Sequence, residues 1–117
     1  MPSEPHQKYK YRLQFVPSAW VEWQSLDGSV KEPLRKLLKK RLDNPHVPGG
    51  ELHGALTGYY KIKLLKQGYR LVYGVEDDIL MVMVMVMAVD KREDASVYDA
   101  ALLRISQLIS EKPKIKR

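Results

Sequence analysis

The chain has 117 residues, enough for one domain with a real core, whereas two domains would each be marginal. Its 20 Lys and Arg against 14 Asp and Glu leave a charge of +6 and a pI near 9.5, which favours a polyanionic partner without proving one. With no cysteine there is no disulfide framework, no thiolate zinc site and no cysteine nucleophile, and a reducing compartment is allowed.

Residues 1–8 are polar, carry two prolines and lack the apolar stretch of a secretory signal, so they are expected to be a frayed tail. In "YKYRLQF", 9–15, Tyr9, Tyr11, Leu13 and Phe15 alternate with polar residues, the period of a strand with one buried face. Pro17-Ser18 then offers a helix start, and Ala19, Trp20, Trp23 and Leu26 recur at helical spacing until Asp27-Gly28. Ser29 with Glu32 fits a capping box for a second helix with Val30, Leu34, Leu37, Leu38 and Leu42 on its apolar side, although Pro33 allows a start one turn later. Lys31, Arg35, Lys36, Lys39, Lys40 and Arg41 form a basic stripe on its outer side.

The segment "NPHVPGGELHGALTG" is rich in Pro and Gly and reads as a long surface loop without core residues. A hairpin follows in "YKIKLLKQGYRLVY", 60–73, then a turn at "EDD", then "ILMVMVMVMAV", 79–89, as a central strand buried on both faces. That run is too short for a membrane helix, which needs about 20 residues, so a cytoplasmic protein without membrane contact is expected. Asp94 can open a last helix in which Val97, Ala101, Ile105, Leu108 and Ile109 share a side, before Pro113 and a basic tail. The expectation is a single α+β domain over 9–111 with a basic tail at 112–117. Its order is β-α-α-β-β-β-α, an antiparallel sheet of about four strands with the helices on one face.

The hairpin packs Lys61, Lys63, Lys66 and Arg70 together with no acid. If Gln67-Gly68 is a two-residue turn, Lys63 faces Val72 and Lys61 faces Gly74, which leaves room beside that lysine. Side chains alternate along a strand, so Ile62, Leu64, Leu71 and Tyr73 share the core face while Lys61, Lys63 and Arg70 share the other. A lysine-rich solvated face is the favoured reading of this stretch alone. Arg92, just past the central strand, and Tyr98, in the first turn of the last helix, shift the balance, since both can border the same surface. Cations around a tyrosine suit an RNA backbone: guanidinium forks grip phosphate and a ring stacks on a splayed base. Crowded cations also lower a lysine pKa, and a neutral lysine can take the proton from a ribose 2′-hydroxyl.

Taken together, "LDGSVKEPLRKLLKKRLDNP", "YKIKL", "GYRLVY" and "KRE…VY", standing in this order, resemble the RelE family of bacterial toxins, within the RelE/ParE superfamily, over about Tyr9 to Ile105. The resemblance implies a RelE-like microbial RNase fold and the toxin of a type II toxin–antitoxin system, a metal-independent endoribonuclease that cleaves mRNA in the A site of the 70S ribosome and inhibits translation. It implies Lys61 as general base, Lys63 and Arg70 as stabilisers of the transition state, Arg92 at the leaving 5′-oxygen and Tyr98 orienting or stacking on the substrate. Because an arginine is a poor acid, charge stabilisation suits Arg92 better. Lys36, Lys39, Lys40, Arg41, Lys66 and Lys91 are expected against mRNA or 16S rRNA, with a solvated helix face as the equal alternative for Lys36, Lys39 and Lys40. A RelB-like antitoxin is the implied protein partner, with operator DNA reached only through that complex. Asp90 stands where family members often carry glycine, and Asp94 where many carry a basic residue, which weakens the local field or caps the helix.

His6, His46 and His53 are not at metal-ligand spacing, the Met81, Met83, Met85, Met87 alternation reads as core, and Asp77-Asp78 lies in a turn. Neither a metal nor another cofactor is expected. The competing readings are a toxin of the same fold acting on DNA gyrase and a non-catalytic basic RNA-binding protein. The intact set of lysines, arginines and tyrosine argues against the first.

Overall fold

The seven expected elements follow one another in the expected order in the computed structural model, which describes residues 10–88 and 94–116, with 109–116 as backbone only. They are β1 (Arg12–Phe15), α1 (Pro17–Gln24), α2 (Gly28–Asp43), β2 (Tyr59–Leu64), β3 (Tyr69–Glu76), β4 (Ile79–Met87) and α3 (Asp94–Lys116). The sheet runs β1-β4-β3-β2. β2, β3 and β4 are antiparallel as expected, but β1 joins β4 in parallel, with Arg12 beside Ile79 and Phe15 beside Val82. The connection between these two strands contains two helices and a hairpin, long enough to return the chain in either direction. The sheet is therefore mixed.

The helices also divide between the faces, where one face was expected. Ala19 and Trp23 of α1 and Val30, Leu34, Leu38 and Leu42 of α2 bury one side of the sheet, with Tyr60, Ile62, Leu71 and Tyr73 beneath them. Val97 and Ala101 of α3 cover Val72 and Val84 on the other. β4 serves both layers through a bulge: Val72 pairs with Val84 and Tyr73 with Val82, so Met83 is the extra residue and the alternation resets across it. Met83 and Met85 are buried core residues, as expected, whereas Met87 is exposed.

Three local expectations change. Asp27, not Ser29, caps α2, its carboxylate accepting the Ser29 N–H at 3.0 Å, and the helix carries Pro33 in its interior. Glu32 pairs with Arg35 instead of closing a capping box. The Pro/Gly-rich loop is not free of core residues, since Leu52 and Leu56 join the layer under α3 through a short 3-10 turn, Gly54–Leu56. α3 also continues through Pro113 to Lys116.

β1 stops at Phe15, and among the described residues no strand pairs with the far half of β4 on that side. Buried backbone groups need partners, and side chains supply them here. Glu22 of α1 accepts the Met85 N–H at 3.1 Å, and Arg104 of α3 donates to the Met83 carbonyl at 3.0 Å. The two side chains pair with each other at 2.7 and 2.8 Å. This clasp closes the sheet edge and ties α1 to α3.

Candidate active site

The β2–β3 hairpin is closed by four residues, Leu65–Gly68, with Gly68 at φ +76° and its N–H bonded to the Leu64 carbonyl at 2.8 Å. The two-residue turn is thus replaced by a longer one, and Lys63 pairs with Arg70, Lys61 with Val72, and Tyr59 with Gly74. The correction moves each partner by two positions, so the faces are unchanged. Lys61, Lys63 and Arg70 lie on the α3 side, opposite Ile62, Leu71 and Tyr73. The open space expected beside Lys61 is absent, because Val72 and not Gly74 is its partner, and Gly74 lies instead under the ring of Tyr59, which a Cβ would strike.

α3 begins over this patch. Asp94, in its first turn, bridges the two opposed cations: Arg70 Nε donates to Oδ1 at 2.8 Å, and Lys63 Nζ reaches Oδ2 at 3.1 Å. Arg70 is only 5% exposed and also donates from Nη1 to the Tyr69 carbonyl at 3.3 Å. Burial pushes the Asp94 carboxyl up, but hydrogen bonds from Lys63 and Arg70, with their charges, hold it below the usual aspartate value. Tyr98 is four residues on, hence on the same side of the helix. Burial and the Asp94 charge push its hydroxyl up, while Lys63 and Arg70 pull it down, so the four side chains share one electrostatic neighbourhood. Lys61 is half-buried beside them, and its Nζ carries no ion pair among the described residues.

Arg92 and Lys91 lie outside the described residues. Lys36, Lys39 and Lys40 are exposed on α2, which packs on the opposite face of the sheet, so their stripe does not continue the cationic patch. Lys66 is exposed in the hairpin turn. Arg41 leaves the stripe: its Nη1 donates to Tyr73 Oη at 2.8 Å and reaches the Lys61 carbonyl at 3.5 Å, while Tyr73 Oη donates to the Pro45 carbonyl at 2.7 Å. This part-buried network reaches the backbone of β2 at Lys61. Burial holds the Tyr73 hydroxyl above its usual value despite the arginine.

Asp94 as counter-ion to two of the expected catalytic cations was not deduced from sequence; its only signal was an acid where relatives often carry a base. Nothing in the sequence pointed to the inward turn of Arg41. Among the described residues, no group of three or more His, Asp or Glu is placed to hold a metal ion, and no helix is long and apolar enough to cross a membrane.

No protein-family model matches the chain. Curated relatives do. The chain is 43% identical over 95 residues to the mRNA interferase toxin RelE of Escherichia coli, covering 81% of this chain and 97% of that one, and equally to the mRNA interferase RelE of Shigella flexneri. Among solved structures, the isolated E. coli RelE toxin superposes with a TM-score of 0.65 at 37% identity, over 81% of this chain and 98% of that one. The intact E. coli RelBE toxin–antitoxin complex matches with a TM-score of 0.63 at 39% identity, over 67% and 96%.

Proposed function

The chain belongs to the RelE family of toxins, and on that premise we propose that it is the toxin of a type II toxin–antitoxin pair that cleaves mRNA in the ribosomal A site. The observation that carries the reading is the convergence of Lys61, Lys63, Arg70 and Tyr98 on one side of the hairpin under the start of α3. Lys61, which unlike Lys63 carries no ion pair among the described residues, takes the proton of a ribose 2′-hydroxyl. The 2′-oxygen attacks the adjacent phosphorus, the bond to the 5′-oxygen breaks, and the departing 5′-oxygen takes a proton from water, so that the products are a 2′,3′-cyclic phosphate and a 5′-hydroxyl. Lys63 and Arg70 balance the negative charge that grows on the phosphorane oxygens, and Tyr98 offers a ring against a base. Arg92 neutralises the leaving oxygen in this scheme, an assignment that rests on its motif. Lys36, Lys39, Lys40 and Lys66 contact ribosomal RNA, the protein works in the cytoplasm, and a RelB-like antitoxin silences it.

The test is cleavage of a defined mRNA on programmed 70S ribosomes, with the same RNA free in solution as control. Cuts confined to the A-site codon, ending in a cyclic phosphate, support the reading. Lys61→Ala should lower the single-turnover rate by about 10²- to 10⁴-fold while the variant still binds ribosomes. If the wild-type protein cuts neither RNA, the assignment fails.

A further inference from the structure

The two cations that the proposed reaction needs for its phosphate are already occupied. Both oxygens of Asp94 are engaged, one by Arg70 Nε at 2.8 Å and one by Lys63 Nζ at 3.1 Å, and the carboxylate sits between two facing positions of the hairpin. A carboxylate offers two oxygens on one atom to a guanidinium and an ammonium, as a phosphodiester offers its two non-bridging oxygens. The three side chains are 14%, 6% and 26% exposed for Asp94, Arg70 and Lys63, so the pair is too sheltered to be a solvated surface contact. Asp94 is also in the first turn of α3, where the helix dipole favours a negative group.

We propose that Asp94 is an internal surrogate for the scissile phosphate, a carboxylate that holds Lys63 and Arg70 in their working positions and must be exchanged for the phosphate before cleavage. The inference rests on the reading of Lys63 and Arg70 as the phosphate-holding cations. It adds a selective role for Asp94 as a positioning residue. An isolated phosphate or a loosely held RNA has to compete with a tethered anion. A backbone presented in a fixed place by a large particle has already met its ordering cost and can displace it. The carboxylate therefore discriminates between presented and free RNA, and it does so at the cations themselves.

The experiment is a titration of inorganic phosphate into the folded protein, followed by the ¹H–¹⁵N resonance of Arg70 Nε, in wild type, Asp94→Asn and Asp94→Glu. Removing a charge-assisted competitor should tighten phosphate binding by roughly 10- to 100-fold in Asp94→Asn, with the Arg70 resonance shifting on saturation. Asp94→Glu keeps the charge and should bind phosphate within about threefold of wild type. Equal affinity in wild type and Asp94→Asn would overturn the proposal. So would an Asp94→Glu variant that binds as tightly as Asp94→Asn, because loosened packing and not charge competition would then be the cause. Asp94→Ser serves the same purpose as Asp94→Asn should the amide variant not fold. The titration does not depend on ribosomes: a protein that shows the predicted phosphate pattern but cuts no mRNA refutes the nuclease reading alone, and one that cuts mRNA without the pattern refutes the surrogate alone.

Discussion

α3 makes an ion pair at each of two places, Asp94 with Lys63 and Arg70 in its first turn, and Arg104 with Glu22 further along. Both are sheltered, and both link the helix to the rest of the domain. They differ in what else their groups could bind. Glu22 and Arg104 serve backbone groups of β4, the Met85 N–H and the Met83 carbonyl, at the place where β1 has ended and no other strand among the described residues serves them. Lys63 and Arg70 are proposed to serve a substrate, and Asp94 holds their place. An ion pair that completes a fold and an ion pair that waits for a ligand have the same distances in a static structure. They are separated by whether an added anion can replace the acid.

The largest stability effect should come from the clasp. Glu22→Ala removes the acceptor of the Met85 N–H and leaves Arg104 without its carboxylate, which should cost about 2–4 kcal/mol in urea denaturation. Added phosphate should restore none of this. If Glu22→Ala unfolds with the wild-type midpoint, water serves the β4 edge as well as the clasp does, and the contrast between the two pairs disappears. A smaller effect is expected from Asp94→Asn, about 1–2 kcal/mol in phosphate-free buffer, because Lys63 and Arg70 lose their shared partner but gain access to water. Here phosphate should rescue. Saturation at 100 times the dissociation constant adds about 2.7 kcal/mol, enough to bring the variant back to the stability of the unliganded wild type.

A third variant examines the support beneath the site. Tyr73→Phe removes the hydroxyl that donates to Pro45 and accepts from Arg41, and it should lower stability by roughly 1 kcal/mol. Its cleavage rate should fall less than that of Lys61→Ala, because Tyr73 acts only through the backbone that carries Lys61. A cleavage defect as large as that of Lys61→Ala would move the Arg41–Tyr73 lattice from support into the reaction itself.

How legible these features were in the sequence depends on the range of the information each needs. The elements and their order follow from periods of two and three to four residues, which are local. The shared face of Lys61, Lys63 and Arg70 was legible even though the turn was misjudged, since lengthening the hairpin connection from two residues to four preserves the parity of every side chain. The direction of β1 was not legible, because it depends on how two helices and a loop bring the chain back. Glu22 and Arg104 lie 82 positions apart, and Arg70 and Asp94 24 apart. Such pairs exist only once α3 has docked, and no pattern along the chain specifies that docking. Arg41 was assigned to a basic stripe by its spacing on the helix, and the tyrosine that turns it inward is 32 residues away. Leu52 and Leu56 were hidden by the prolines and glycines around them, which correctly signal irregular backbone but say nothing of burial.

The smallest effect expected is one of pH, and it bears on the Asp94 end alone. Burial raises the Asp94 carboxyl and the bonds and charges of Lys63 and Arg70 lower it further than that, so its value in the folded chain lies below the ordinary one. A depressed value means that the ionised form favours the folded state: the contribution is complete above the ordinary aspartate range, near 3.9, and disappears as pH falls through the lower folded value. Asp94→Asn has no such titration, and every other acid is common to the two proteins. Their stability difference should accordingly stay flat from pH 7 to about 5 and shrink below about 4. Sulfate, which keeps its double charge through this range, supplies the companion measurement. Wild type should bind sulfate progressively more like Asp94→Asn as its own carboxyl is protonated, since a neutral Asp94 no longer competes for Lys63 and Arg70. A sulfate affinity ratio between the two proteins that does not change on acidification would mean that the charge of Asp94 is not what holds the cations back.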